Sequence, residues 1–576
     1  MNASSGPERL LVSLLALGTI AALFLFRSAD DNRLTSWQWA FAEVHPVRLY
    51  VLVAAGILLA HLAARFPLPG RRPAAVLFFS SYAFAALFWG EPEVIVDASR
   101  YFTQAKYLEI HGLGRFLKEW GRDIPAWTDL PLVPLLYGLV FKLFGESRIP
   151  IQAFTTLLFA ASVVLTYRLG KSLWDEEVGF AAGALLLGIP YLFTQVPCML
   201  VDVPTMFFLT LAVFGVNDAF QHGGAGRILL ASLAVFLAFF AKYSTWLMLT
   251  VLPVICLVHR RKGPSRALVT GALMALISGS LVAAAILFHR PIYSEQVALL
   301  LDYQAPGLRR WGESFASTFL FQIHPFLTAA ALCSVGLALK RRDPRYAIVA
   351  WPVLLLLVLQ VQRMRYLIPA LPMLALMGAY GLQALKGREV RSFAVTSTVA
   401  CSLVVALFGY LPFLQRTGAA NLKMAGEYLD SIDEKSAEVF PLSAADAEVN
   451  PAVSVPILDL YTSRRLIYRY RGNPPSSKKP VEKSALRFTW EYKNPAYYQG
   501  NGEEENSAVV VISDGSSREL PEHVENRLVG YRLVQEFAAD EGVFRHRTLV
   551  SVYRPAWRRS TKRCSKASST ISIRCS

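Results

Sequence analysis

Charged side chains are scarce in this sequence. They make up 17% of the 576 residues, whereas soluble domains carry about a quarter. A chain of this length with so little charge is not a string of ordinary soluble domains. Cysteine is also sparse, with six in all. Cys198, Cys256, Cys333 and Cys401 lie in or beside apolar segments, where Cys behaves as a small hydrophobe. Cys564 and Cys575 sit in a basic tail, and the spacings give neither a zinc motif nor a disulfide framework. None of the 9 histidines falls in an HxxxH or similar spacing, so no metal site is legible. The first apolar run, Leu10 to Phe26, lacks a small-residue cleavage site and reads as a retained helix. There is no internal repeat.

Apolar residues are abundant, at 54% of the chain with a mean hydropathy of +0.38, and they come in long blocks. A bilayer core of roughly 30 Å takes about 20 apolar residues per helix. Spans are expected near 10–26, 47–64, 74–90, 149–169, 178–197, 203–219, 228–241, 243–258, 267–288, 318–339, 346–361, 366–385 and 392–413. Read as one helix, 228–258 would be about 46 Å long with Lys242 near its middle, at a cost of roughly 3 kcal/mol. Two short helices turning at Lys242 fit better.

The net charge of +16 is placed in short loops rather than in a nucleic-acid-binding patch. With about thirteen spans, five groups fall on one face: Arg65, Arg71 and Arg72; Arg168 and Lys171; Arg260, Arg261, Lys262 and Arg266; Lys340, Arg341, Arg342 and Arg345; and Lys386, Arg388 and Arg391. The positive-inside rule assigns that face to the cytoplasm. The loops 91–148 and 289–317 and everything after about 414 then face outward. Within the first loop, Leu130 to Phe144 is apolar but short and begins among prolines, so it reads as an interfacial or re-entrant helix.

The expected fold is mainly α: a polytopic helix bundle over 1–413, a small soluble α/β domain over 414–553, and a basic, disordered tail over 554–576. In the soluble part an Asn421–Ile432 helix precedes strands near 436–441, 453–460, 464–470, 508–513, 531–537 and 548–553. A polar loop around 473–484 and an acidic patch at Glu503 to Glu505 separate them.

Charges at helix mouths are costly and therefore candidates for function. Asp97 follows the third span, Asp202 opens the sixth in DVPTMFF, Lys242 marks the turn in AKYSTW, and Arg363 and Arg365 precede the twelfth in RMRYLIPALP. All approach the outward face in this topology. Each also has a plain reading. Asp202 two residues before Pro204 is an ordinary helix start. Lys242 can snorkel, the arginines can be flanking charges, and Asp97 can be a loop residue. Taken together, carboxylates and cations at one mouth suit sugar transfer from a lipid phosphate. One carboxylate takes the acceptor proton, and Arg and Lys hold the phosphate that leaves.

The ordered set of these elements across about 74–385 resembles the GT-C superfamily of membrane glycosyltransferases, in its protein-mannosyltransferase and lipid A aminoarabinose-transferase branch. The set comprises the early acidic residue with Tyr101, Ala105 and Gly112, then PLLYGLVFKLFGESRIP, DVPTMFF, AKYSTWLMLTVLP and RYLIPALP. The resemblance implies inverting transfer from a polyprenyl-phosphate sugar to a lipid, glycan or protein hydroxyl on the extracytoplasmic face of a bacterial plasma membrane. It makes Asp97 and Asp202 the catalytic carboxylates, and Lys242, Arg363 and Arg365 the phosphate-binding cations. No cofactor is implied, and a divalent metal stays open. Where the family often has an Asp-Glu pair, this chain has Asp97 and Ala98, which leaves Glu91 or Glu93 as substitutes. Tyr101 and Tyr366 join these as acceptor or loop residues. The alternatives are a transporter or flippase of lipid-linked sugars, or a non-catalytic scaffold. Paired halves and midplane charges, the marks of many transporters, are missing.

Overall fold

A computed structural model describes residues 5–556 apart from 31–40, 42–43, 67–71, 262, 305–312, 418, 443–448, 469–488, 491–494, 500–505, 514–519 and 540–547. The 473–484 loop, the Glu503–Glu505 patch, Cys564, Cys575 and the tail beyond 556 lie outside the described residues.

Among the described residues seven helices are long and apolar enough to cross a membrane, and the remaining apolar helices are shorter. In chain order the helices used below are α1 (Ser5–Phe26), α2 (Pro46–Ala63), α3 (Pro73–Ala86), α4 (Ile95–His111), α5 (Leu132–Phe144), α6 (Arg148–Leu173) and α7 (Glu176–Leu186). They continue with α8 (Asp202–His222), α9 (Ala225–Ala241), α10 (Val251–Arg260), α11 (Pro264–Phe288), α12 (Pro325–Arg341), α13 (Tyr346–Val358), α14 (Met364–Leu382) and α15 (Arg388–Leu414). α6, α8 and α14 form the buried centre, while α11 leaves Leu268, Val269, Leu276 and Leu287 exposed. A peripheral helix with an apolar outer face is what lipid, as solvent, selects. At 13 residues, or about 20 Å, α5 is too short to span, and it packs along α4.

Several expected spans are broken. The 178–197 segment ends as α7 at Leu186 and restarts at Pro190 after an extended Ile189, because the residue before proline is driven out of the helical region. The 243–258 segment splits into Ser244–Met248 and α10. The 318–339 segment begins as a π-turn, Ser317–Gln322, and breaks at Ile323 before Pro325.

The C-terminal part holds a five-stranded sheet in the order β2-β1-β3-β5-β4. Its strands are β1 (Ser436–Pro441), β2 (Arg465–Tyr468), β3 (Ala508–Ser513), β4 (Tyr531–Ala538) and β5 (Leu549–Pro555). β1 runs parallel to β2 and β3, with Val439 facing Val510; β5 runs antiparallel to β3 and β4. The central strand AVVVIS is apolar on both faces, as a covered strand must be. Helix α16 (Ala420–Ser431) precedes β1 as expected.

The strand expected near 453–460 is instead a helix, α17 (Ser454–Leu460), buried all round. Its apolar run carries no period to separate strand from helix. Pro451 follows a capping Asn450 whose side chain accepts from the Ala452 N–H, and Pro456 cannot donate to a sheet ladder.

α17 docks the sheet domain on α4. Lys106 reaches Glu146 at 2.7 Å and Asp459 at 2.5 Å, and the Tyr498 hydroxyl donates to Asp459 at 2.7 Å. Two carboxylates share one ammonium here. Burial and the neighbouring Asp459 push the Glu146 carboxyl up to about 8, against the opposing pull of Lys106. A carboxyl raised on folding binds more protons in the native than in the unfolded state, so this site loses stability as pH rises from about 4.5 toward 8. Glu146→Gln should therefore flatten the fall in melting temperature between pH 5.5 and 8, read by thermal unfolding of purified protein. An unchanged slope would remove Glu146 as its source.

Candidate functional site

Five chain segments converge at one mouth of the bundle. Asp97 lies in the first turn of α4, where a helix N-terminus favours an anion. Asp202 is the first residue of α8, with Pro204 in the first turn, where the missing N–H costs nothing. Lys242 ends α9 in an extended conformation. Arg363 precedes α14 and Arg365 lies in its first turn. Asp129 comes from the loop before α5 and Arg100 from one turn past Asp97.

Arg365 is the joint of this cluster. Its Nε donates to one Asp202 oxygen and its Nη1 to Asp97. The other Asp202 oxygen accepts from the Lys242 ammonium at 2.6 Å. The Asp202 side chain has no exposed surface, so both of its oxygens are spent on cations; the Asp97 side chain keeps 21% exposure. Arg100 lies 3.5 Å from Asp97 and 2.9 Å from Asp129, which also accepts from Gln104. Tyr366 places its ring beneath Lys242 at 4.7 Å and beside Arg363 at 5.3 Å. Burial by itself would raise the Asp97 carboxyl, but Arg365, Arg100 and Arg363 outweigh it and hold it well below the usual carboxylate range. At neutral pH Asp97 is ionised.

The turn that presents Lys242 is locally closed. With α9 ending at Ala241, the carbonyls of its last turn need partners. The Thr245 hydroxyl bonds the carbonyls of Ala238 and Lys242, each at 2.6 Å, and the Trp246 indole donates to Phe239 at 2.9 Å while stacking on its ring. The Lys242 carbonyl would keep the Thr245 backbone N–H at 3.0 Å, but the Ala238 carbonyl would lose its side-chain donor, so Thr245→Val should cost about 1–3 kcal/mol. Thermal unfolding should show it, and a variant as stable as the parent would refute this role.

Of the residues singled out from sequence, Asp97, Asp202, Lys242, Arg365 and Tyr366 come together, with Arg363 beside them. Tyr101 borders the cluster through Arg100, whose guanidinium lies over its ring. Glu91 and Glu93 do not join it. Glu93 is buried, pairs with Arg148 at 2.9 Å and accepts the Met199 backbone N–H; this ties the α3–α4 connection to the start of α6. Glu91 is buried near Cys198, and burial raises its carboxyl well above the ordinary range. Neither can replace an acid after Asp97. The sequence reading missed Arg100, Asp129 and Glu313, a buried carboxylate that accepts the Met364 N–H at 3.1 Å. The spacing of Asp97 and Arg100 on a helix was the one signal for Arg100. Asp129 and Glu313 sit in loops whose pairing no periodicity announces.

Residues 125–284 match the family model described as dolichyl-phosphate-mannose-protein mannosyltransferase, a stretch that contains Asp129, Asp202 and Lys242. No curated protein matches the sequence. In structure the chain is similar to ArnT from Cupriavidus metallidurans bound to undecaprenyl phosphate, with 12% identity, a TM-score of 0.50, and coverage of 84% of this chain and 98% of that one. The apo state of that protein gives 13% identity, a TM-score of 0.48, and coverage of 83% and 97%. The archaeal oligosaccharyltransferase AglB from Archaeoglobus fulgidus, in complex with an inhibitory peptide and a dolichol-phosphate, gives 10% identity, a TM-score of 0.46, and coverage of 77% and 69%.

Proposed function

We propose that this chain, which has the fold of the GT-C superfamily of membrane glycosyltransferases, transfers a sugar from a polyprenyl-phosphate donor to a hydroxyl acceptor on the extracytoplasmic side of the membrane. The observation that carries the reading is Arg365 bridging Asp97 and Asp202, with Lys242 on the far oxygen of Asp202. Such a cluster is a phosphate site held in reserve. An arriving phosphate takes the Arg365 bond now made to Asp97 and the remaining N–H groups of Arg365 and Lys242, while Asp202 keeps its hold on both cations.

Taking Arg365 away from Asp97 releases the partly exposed carboxylate from its strongest cation. It can then accept the proton of the acceptor hydroxyl as that oxygen attacks the anomeric carbon. The bond from that carbon to the phosphate oxygen breaks, its electrons stay on the phosphate, and Arg365 and Lys242 stabilise the charge. Attack opposite the leaving phosphate inverts the anomeric configuration. Asp202, with both oxygens occupied and no exposure, serves as the anion that positions the two cations rather than as a second base. The sheet domain is docked through Lys106 on α4, the helix whose first turn carries Asp97.

The test is purified protein reconstituted with polyprenyl-phosphate sugars and a panel of hydroxyl acceptors. The expected products are free polyprenyl phosphate and an acceptor glycoside of inverted configuration. Movement of intact donor across the bilayer, with no glycosidic product, would instead identify a flippase and overturn the reading.

A further inference from the structure

At the opposite end of the same helices lies a cavity of about 590 Å³, within the range of small-molecule sites. α8 and α14 each reach from the Asp97–Asp202 mouth to this cavity, which the end of α6 also lines. Along α8 from Asp202 to Asn217, and along α14 from Arg365 to Tyr380, the two lie about 22 Å apart, so the cavity is no part of the proposed reaction centre.

Its walls are cationic. Arg261 follows α10, Arg341 ends α12, Arg342 comes directly after it, and Arg345 directly precedes α13. Two carboxylates also face it, and both are committed. Asp343 takes two bonds from the Arg345 guanidinium and one from the Trp174 indole. Asp175 caps α7 and accepts from Gln383. Arg341 donates to Gln383 at 2.9 Å and lies over the Tyr380 ring. The guanidinium groups of Arg261 and Arg342 have no hydrogen-bond or ion-pair partner among the described residues.

Arginine at a helix C-terminus is an ordinary complement to the dipole, and that alone would explain the cations. It does not explain Tyr380. This side chain is 1% exposed, lines the cavity, and has a hydroxyl with no hydrogen-bond partner. A buried hydroxyl without an acceptor costs about 1–3 kcal/mol, and here it belongs to a side chain that lines the same cavity as the four arginines, with Arg341 over its ring. We infer that the cavity binds a phosphate-bearing molecule, with Arg261, Arg341 and Arg342 holding the anion and the Tyr380 hydroxyl donating to it. The phosphate can belong to a lipid headgroup at the membrane surface or to a soluble compound. The inference does not depend on the reaction proposed for the other face.

The experiment uses the full chain in two arms. In the first, native mass spectrometry counts phosphatidylglycerol retained from mixed phosphatidylcholine and phosphatidylglycerol nanodiscs. In the second, calorimetry measures inorganic pyrophosphate binding in neutral detergent. Wild type should bind in one arm at least, which identifies the source. In that arm Arg261→Gln with Arg342→Asn should weaken binding about tenfold or more, since hydrogen bonds to charged groups contribute about 1.5–3 kcal/mol. Asn suits position 342 because that residue has φ of 49°. Tyr380→Phe should weaken binding in the same arm while leaving the ligand-free melting temperature unchanged or higher. Binding in neither arm, or binding that both variants leave intact, would overturn the inference.

Discussion

Asp97→Asn should lower glycosyl transfer by about 10²–10⁴-fold, the range of a positioned general base, while leaving the fold in place. The asparagine keeps the shape of the side chain and can still accept from Arg365, and Arg365 retains Asp202 as its buried counter-ion. Because Asp97 is partly exposed, the loss of one charge there is screened. In the donor-free protein its depressed carboxyl stays ionised through neutral pH, so kcat/KM should not fall from protonation of Asp97 until the solution is strongly acidic. The pair of measurements is turnover with a polyprenyl-phosphate sugar and a melting curve. Full turnover in the variant would remove Asp97 from the chemistry.

Asp202→Asn should behave differently, because both activity and stability should drop. Asp202 is wholly buried and is the shared anion of Lys242 and Arg365. Breaking a buried pair by removing one partner costs about 3–5 kcal/mol, because a charge is left inside without compensation. Here two cations lose the same partner. Arg365 keeps Asp97, whereas Lys242 keeps mainly the ring of Tyr366. The expected result is a melting temperature lower by several degrees and weak donor binding. If Asp202→Asn melts like wild type and loses only turnover, Asp202 touches the reacting groups and the positioning role is wrong.

Much of this arrangement was legible because membrane insertion leaves a strong mark on sequence. Each expected span overlaps helical residues, though only seven helices among the described residues are long and apolar enough to cross, and three of the expected basic groups meet where Arg345 reaches the Leu173 carbonyl and Arg391 pairs with Glu177. Asp97, Asp202, Lys242 and Arg365 stood out for the same reason: a charge at a helix mouth is conspicuous against lipid-facing neighbours. What stayed hidden was pairing across distant loops. Nothing in the residues around Asp129 says that Arg100 and Gln104 will close on it. Glu93 resembled a stand-in acid by position, yet its partner Arg148 lies 55 residues away. In the sheet domain, 453–460 was misread because a fully buried segment has no polar side to show a period. The prolines were the better guide.

The most direct test of the central claim is the affinity for polyprenyl phosphate of wild type and Asp97→Asn in nanodiscs. If Asp97 and the donor phosphate compete for Arg365, the variant should bind the lipid phosphate as tightly as wild type or more tightly. Binding weakened tenfold or more in a folded Asp97→Asn protein would contradict that competition, and with it the reading of the cluster as a reserved phosphate site.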